Sequence, residues 1–353
     1  MDIKKRDLLI AGAALGAGLA ASSAKAQPRE RPINSGTQPS TVDRNYKPRR
    51  VNKVIELWED NQPAYYTGPG IGPGVDPYEQ GKKMAKTWAD AICYDMEHNP
   101  IDFTSLQAFM QGLADGGPTA SGHRIPCVFV STPIIGLNEA YMWANSWVFG
   151  QLMDTGIMGI HICHARDPKA IEVAAQACVR FPFKFPGVPQ LAHEGLRGSP
   201  QVFPPRIWGV PMGKYLHVAD TWPLNPRGEM IFGVKIEDVH ADAHVEQTLA
   251  VKGISMAEWG PGDHAYSLYG LEAFPEDDHS MGELAARPEM KAVRQKVLDL
   301  CKKNGLRFLN AARADDNSVD SVVQQIKDGS MILESDEAAA IKGREYTKRK
   351  MPV

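Results

Sequence analysis

The amino-acid sequence predicts a (β/α)8 barrel, in which parallel strands alternate with helices and close into a ring. Short apolar runs alternate with helical patterns over about 260 residues, which favours one parallel barrel over a sandwich or a helical bundle. The chain has 353 residues, of which 43% are hydrophobic, so it can form one large core or two smaller ones. The sequence contains no internal repeat.

The predicted strands are short apolar runs bounded by polar residues, glycine or proline. In chain order they cover residues 64–67, 89–94, 127–130, 157–162, a position near 207, 230–236, 254–258 and 306–309. The predicted helices cover residues 51–59, 77–88, 104–113, 140–153, 168–180, 242–251 and 284–303. Asp167 can cap the helix that starts at Pro168, and Gly305 can end the helix that precedes it.

The chain divides into four predicted segments. Residues 1–26 combine a basic start, an apolar stretch and a small-x-small site, so we expect a signal of the twin-arginine type and a periplasmic or exported protein. Residues 27–48 are rich in Pro, Ser, Thr and Arg, which predicts a linker or an arm. The barrel is assigned to residues 49–312. Residues 313–353 are predicted to be a partly helical tail that packs on a neighbouring subunit, which implies a homo-oligomer.

The charge and cysteine content of the chain indicate which kinds of ligand and cross-link to expect. The net charge is −3, and no basic patch is interleaved with aromatic residues, so nucleic acid is not the expected ligand. The apolar stretch of the signal is too short for a membrane span. Five cysteines without CxxC or CxC spacing argue against a disulfide framework or a zinc knuckle. We therefore expect a small-molecule substrate.

Polar side chains follow several of the predicted strands, at the end where barrel enzymes carry their active sites. Residues 95–98 include Asp95, Glu97 and His98, and two later strands are followed by His164 with Arg166 and by Glu237. Asp263 follows a further strand in a Gly-Pro-Gly-Asp segment. Taken singly, each acidic residue could instead cap a helix or lie in a surface loop.

Glu237 and Asp263 are predicted to follow neighbouring strands, so their carboxylates can converge on one divalent cation. Two carboxylates, completed by water and substrate oxygens, suit Mg²⁺, Mn²⁺ or Co²⁺. The sequence therefore predicts a divalent-metal site.

The combined pattern resembles the HpcH/HpaI aldolase/citrate lyase family. It consists of Asp-x-Glu-His at 95–98, Ile-Glu at 236–237, Gly-Pro-x-Asp at 260–263, Met-Asp-Thr-Gly at 153–156 and Arg-Gly at 197–198. The resemblance covers residues 50–310 and implies a metal-dependent barrel enzyme that breaks or forms a carbon–carbon bond beside a 2-oxo acid.

The resemblance also implies roles for individual residues. Glu237 and Asp263 would bind the metal. His98 would be the general base, with Asp154 raising its basicity and Asp95 and Glu97 supporting it. Gly262 would offer a backbone contact to the substrate. Retro-aldol cleavage needs a base near neutral pKa and an electrophile for the developing oxyanion, which a histidine and a metal can supply.

Two positions depart from the family pattern. Phe129 or Ser131 stands where the family carries an arginine that stabilises the enolate, and Lys235 stands where glutamine is usual. Lys235, His164 or Arg166 could replace the arginine as a substrate-binding group, or the substrate could lack the oxo acid.

The sequence leaves two functional alternatives open beside the lyase. One is a metal-dependent hydrolase that uses the same site, and the other is a non-catalytic exported binding protein. Aromatic residues concentrated between positions 181 and 230 could line a large pocket, although packing beneath long loops is the more common role of such residues.

Overall fold

The computed structural model describes residues 41–199, 201–273, 281–311, 319 and 321–353, and the described residues form a closed barrel. Eight parallel strands lie in chain order, and β8 pairs with β1 to close the ring, with Ala64 opposite Ile332. The predicted (β/α)8 fold is confirmed. The strands are β1 Ala64–Thr67, β2 Ala91–Asp95, β3 Cys127–Thr132, β4 Gly159–Ile162, β5 Ile231–Ile236, β6 Met256–Trp259, β7 Arg307–Asn310 and β8 Ser330–Glu334.

Helices connect the strands, and several begin at an aspartate whose side chain accepts a backbone N–H of the first turn. Asp76, Asp167 and Asp238 cap helices in this way, and proline follows the first two. The helices are α1 Lys53–Glu59, α2 Pro77–Met84, α3 Phe103–Gly116, α4 Glu139–Ala144, α5 Ser146–Asp154, α6 Pro168–Val173, α7 Phe203–Trp208, α8 Met212–Val218, α9 Val239–Thr248, α10 Pro261–Tyr269, α11 Met281–Ala285, α12 Pro288–Asn304, α13 Val322–Asp328 and α14 Glu337–Tyr346.

The strand predicted near residue 207 is wrong, because this segment is helix α7. Pro204 and Pro205 lie in its first turn, where a missing N–H costs nothing, whereas they would interrupt the hydrogen bonds of a central strand. The helix ends at Gly209, whose φ of 68° lies in the left-handed region. The long excursion between β4 and β5 therefore adds helices to the barrel.

The missing strand lies in the predicted tail. β8 covers Ser330–Glu334, so the predicted barrel boundary at residue 312 is too early. This strand has only five residues and directly follows Gly329, which ends α13. Its run of apolar residues is therefore too short to stand out in the sequence. The helix expected around residues 337–349 is present as α14.

The amino ends of the strands are closed by a buried charge cluster. Asp90, which precedes β2, accepts two hydrogen bonds from Arg349, at 2.6 and 2.7 Å. The Nζ atom of Lys53 lies 3.2 Å from the same carboxylate, and Arg344 lies 3.4 Å from it. Each of the four residues is at most 1% exposed. The C-terminal segment is thus part of the barrel and covers the end away from the polar strand ends.

The aromatic residues of the long excursion pack at this same closed end. Trp208 donates a hydrogen bond to the carbonyl of Gly156, shortly before β4 begins, and it stacks edge-on against Tyr215. Trp208, Tyr215 and Trp222 are buried, so they support the fold beneath the loops and do not line the opposite end.

The predicted signal at residues 1–26 and most of the predicted linker lie outside the described residues. The described part of the linker contacts the C-terminal segment, where Thr41 donates to the carbonyl of Arg349 at 2.6 Å. In the part of the chain that the structure describes, no helix combines the length and apolarity needed to cross a bilayer. All five cysteines are free thiols, and four of them are buried.

Candidate metal centre

The carboxyl ends of the strands bring together the polar side chains that the sequence predicts there. Glu97 follows β2, His164 follows β4, Glu237 directly follows β5, and Asp263 lies in the first turn of α10 after β6. One possible ligand atom from each of these four residues lies within 4.8 Å of the other three. Asp95, Glu97 and His98 form a second, overlapping group of the same kind.

Glu237 lies at the middle of the first group and is almost completely buried. Its Oε1 accepts the backbone N–H of His164 at 3.1 Å, and its Oε2 lies 3.7 Å from Lys235 Nζ. A Cβ atom at Gly260 would stand 2.3 Å from the same Oε2. The glycine that opens the Gly-Pro-Gly-Asp segment therefore leaves room for the Glu237 carboxylate.

The surroundings of Glu237 raise the pKa of its carboxyl group. Burial, together with the charges of Glu97 and Asp263, raises the pKa of Glu237 to about 7, although Lys235 and His164 oppose this shift. Negative charge thus exceeds positive charge within a small, poorly solvated volume. Three carboxylates and one imidazole are a donor set that suits a divalent cation, so the residues fit the metal site that the sequence predicts.

His98 lies at the edge of this group and is held by the preceding loop. Its Nδ1 is 3.1 Å from Asp95 Oδ2, and its backbone N–H is bound by Asp95 Oδ1 at 3.1 Å. Since an ionised carboxylate can only accept, Nδ1 carries the proton in this pair. The other ring nitrogen, Nε2, lies 3.8 Å from Asp263 Oδ2 and presents its lone pair beside the candidate metal ligands.

The structure does not bring Asp154 to His98, which corrects the expected pairing. Asp154 is the last residue of α5, and this helix leads into β4, so its end lies near the amino ends of the strands. There it lines a surface depression together with Trp147 and Arg197. Asp95 occupies the position beside the His98 ring that the resemblance assigned to Asp154.

Lys235 points from β5 into the barrel and is paired with carboxylates. Its Nζ donates to Glu97 Oε2 at 2.6 Å. Burial opposes the charged form, but the carboxylates of Glu258 and Glu237 outweigh it and raise the pKa of Lys235 well above its usual range. Lys235 is therefore a fixed cation beneath the candidate metal ligands. Its expected contact with substrate, like the expected backbone contact of Gly262, stays a prediction.

Two residues inside the barrel, Glu258 and His161, were not predicted from the sequence. Burial raises the pKa of Glu258 on β6 to about 8, and its Oε2 lies 3.5 Å from His161 Nδ1 on β4. Burial lowers the pKa of His161 to about 3, and its ring packs edge-on against Phe129, one of the two residues expected at the place of the family arginine. A signal for Glu258 was present, because it is a charged residue inside an apolar strand.

An open cavity of about 400 Å³ lies over this site. Among the described residues that line it, Lys235 is the one lysine or arginine. The acidic and basic groups at its wall are His98, Lys235, Glu237, Glu258, Asp263 and Glu334.

Known structures share this fold. One is an HpcH/HpaI aldolase/citrate lyase family protein from Burkholderia cenocepacia J2315, with a TM-score of 0.59 and 21% identity over 82% of this chain and 94% of that chain. Another is the HpcH/HpaI aldolase from Desulfitobacterium hafniense DCB-2, with a TM-score of 0.53 and 17% identity over 84% of this chain and 96% of that one.

A third similar structure is macrophomate synthase, with a TM-score of 0.51 and 17% identity over 83% of this chain and 87% of that chain. No protein-family model matches the sequence, and no curated protein matches it. At these identities the likeness shows a common barrel fold, as the sequence motifs led us to expect.

Proposed function

We propose that the protein is a divalent-metal-dependent carbon–carbon lyase that cleaves a hydroxylated substrate by a retro-aldol reaction. The observation that carries this proposal is the 3.8 Å separation between His98 Nε2 and Asp263 Oδ2, because it sets a base beside a group of candidate metal ligands. The fold shared with aldolase-family structures supports the same reaction class.

The reaction begins at the substrate hydroxyl. His98 Nε2 takes the hydroxyl proton, the carbon–carbon bond breaks, an aldehyde leaves, and the electron pair of the broken bond passes to the enolate of the remaining oxo acid. Asp95 holds the imidazole through Nδ1 and stabilises the imidazolium that forms. A divalent cation, when bound, would supply positive charge to the oxo oxygen and the developing enolate.

Lys235 provides the second positive charge of the site. Phe129, which is buried between the rings of Tyr66 and His161, and Ser131 are the two candidates for the position of the family arginine, and neither carries a positive charge. Lys235 reaches the cavity wall from β5 and holds Glu97 in place. We therefore assign to Lys235 the electrostatic role of the missing arginine, exerted from a different strand.

Product analysis tests this proposal. Metal-free protein would be incubated with 4-hydroxy-2-oxo acids, including members with an aromatic substituent, before and after addition of Mn²⁺. The proposal predicts that an aldehyde and a 2-oxo acid form in equal amounts only when metal is present, and that Glu237→Ala abolishes both. Metal-dependent release of an acid and an alcohol from an ester, with no aldehyde from any oxo acid, would favour the hydrolase instead.

A further inference from the structure

His164 has a backbone conformation that is uncommon for a residue other than glycine. Its φ of 49° lies in the left-handed region, where side chains other than glycine are uncommon. Neighbouring loops hold this conformation, because the carbonyl of His164 accepts the N–H of Gly136 at 3.1 Å and that of Arg166 at 2.8 Å. The fold thus maintains an uncommon backbone conformation at a residue whose imidazole lies in the candidate metal centre.

The His164 ring is oriented by a carboxylate that is itself fixed. Asp238 Oδ2 lies 2.9 Å from His164 Nδ1 and also accepts from Arg166 Nε at 2.6 Å. Asp238 Oδ1 caps helix α9 by accepting the N–H groups of His240 and Ala241, at 2.9 and 2.8 Å. Since the carboxylate can only accept, His164 Nδ1 carries the proton. This hydrogen bond raises the pKa of His164, and the neutral form of the ring has its lone pair on Nε2. Metal-binding histidines are held in this way by a carboxylate behind the ring.

The surroundings of His164 contain further evidence of a ligand. The site joins its ring to carboxylates of Glu97, Glu237 and Asp263 within 4.8 Å. The Glu97 side chain is nine-tenths buried, and its Oε1 makes no hydrogen bond of normal geometry with the described residues. The His164 side chain is only 22% exposed.

We propose that His164, positioned by Asp238, is a nitrogen ligand of the cation that Glu237 and Asp263 bind, and that it makes the centre select Co²⁺ or Zn²⁺ over Mg²⁺. Imidazole suits these borderline cations, whereas Mg²⁺ prefers oxygen ligands alone. The inference rests on the metal site of the proposed function and replaces the substrate contact first expected of His164.

Calorimetry with single cations tests the selectivity. His164→Asn is the variant of choice, because asparagine tolerates the left-handed conformation and the loop should keep its shape. We expect His164→Asn to weaken Co²⁺ binding by at least about ten-fold and Mg²⁺ binding by less than about three-fold, since a lost nitrogen donor affects the borderline cation most. Equal losses for the two cations, or none, would overturn the inference.

The matched control is His98→Asn, which removes the other imidazole near the site. In protein loaded with Cu²⁺, pulsed electron paramagnetic resonance detects the remote nitrogen of a coordinated imidazole. That signal should persist in His98→Asn and disappear in His164→Asn, and the reverse pattern would refute the assignment. Unchanged cation binding in Glu237→Ala would instead refute the metal site of the proposed function, so the two failures are distinguishable.

Discussion

At the scale of single residues, the fold holds the two histidines near the candidate metal centre in different ways. Asp95 holds the His98 ring, whose side chain is 58% exposed, and Asp238 holds the His164 ring, whose side chain is 22% exposed. The exposed ring can exchange protons with substrate and solvent, whereas the more buried ring is fixed in place. The partner carboxylate and the degree of burial therefore distinguish His98, the proposed base, from His164, the candidate metal ligand.

His98→Ala tests the base. We expect kcat to fall by roughly 10²–10⁴-fold, the usual contribution of a positioned general base. The affinity for Mn²⁺ should change little, because the candidate ligand carboxylates remain. Steady-state kinetics and calorimetry on the same preparation measure both quantities. Turnover near the wild-type rate would remove His98 from the mechanism.

Gly260→Ala tests the space beside Glu237. A Cβ atom there would stand 2.3 Å from Glu237 Oε2, so the carboxylate must move and metal affinity should fall by about ten-fold or more. Gly262→Ala is the matched control, because its Cβ would meet no atom within 4 Å. Calorimetric titration of both variants with Mn²⁺ provides the comparison. Equal affinities in the two variants would show that Gly260 does not shape the site.

At the scale of elements, the short strands and their following loops decide which side chains meet. The site is assembled from residues after β2, β4, β5 and β6, while α14 and the residues that follow it close the opposite end. Closure depends on buried charge. Asp90 is surrounded by three cationic side chains, whose attraction offsets the cost of burying its charge.

Arg349→Ala tests this closure. Removing one partner of a buried ion pair leaves Asp90 without its two shortest hydrogen bonds, so the free energy of unfolding should fall by about 3–5 kcal/mol. Lys350→Ala is the control, because Lys350 is the exposed neighbour in sequence. Urea denaturation measures both variants. A loss below about 1 kcal/mol for Arg349→Ala would mean that the C-terminal segment does not hold the barrel closed.

At the scale of the whole molecule, stability should depend on pH through Glu56 on α1. Burial tends to raise its pKa, but hydrogen bonds from His123, Tyr46 and the Arg50 backbone outweigh burial and lower it to about 2, from an ordinary value near 4.5. A carboxyl whose pKa is depressed in the folded state stabilises the fold above its unfolded pKa. This contribution is present above pH 4.5 and is lost as the pH falls towards 2.

Glu56→Gln should lower the free energy of unfolding at pH 7 by about 1–3 kcal/mol, since a buried charge-assisted network is broken. The difference from wild type should shrink between pH 4.5 and 2. The exposed Glu59→Gln on the same helix serves as the control. Denaturation curves at several pH values measure the effect, and a pH-independent difference would contradict the assignment.

The strand–helix alternation was enough to predict the barrel, and the polar strand ends predicted most of the site. Local pattern could not show that Asp154 lies at the amino ends of the strands, since a motif at a helix end carries no information about the distant His98 loop. The local pattern also could not show the contact between His164 and Asp238, because the two residues are 74 positions apart in the chain. The local sequence around Asp238 indicates a helix cap, and the structure confirms that cap. The contact between Asp238 and His164 becomes visible only in the folded chain.

Titration of Mn²⁺ into metal-free protein tests most directly whether a cation binds between Glu237 and Asp263. We predict that the wild-type chain binds Mn²⁺ at this centre, that Glu237→Ala and Asp263→Ala abolish binding, and that both variants keep their melting temperature. Glu246→Ala, which removes an exposed carboxylate on α9, should bind as the wild type does. Unchanged Mn²⁺ affinity in both site variants would contradict the metal centre and the lyase chemistry built on it.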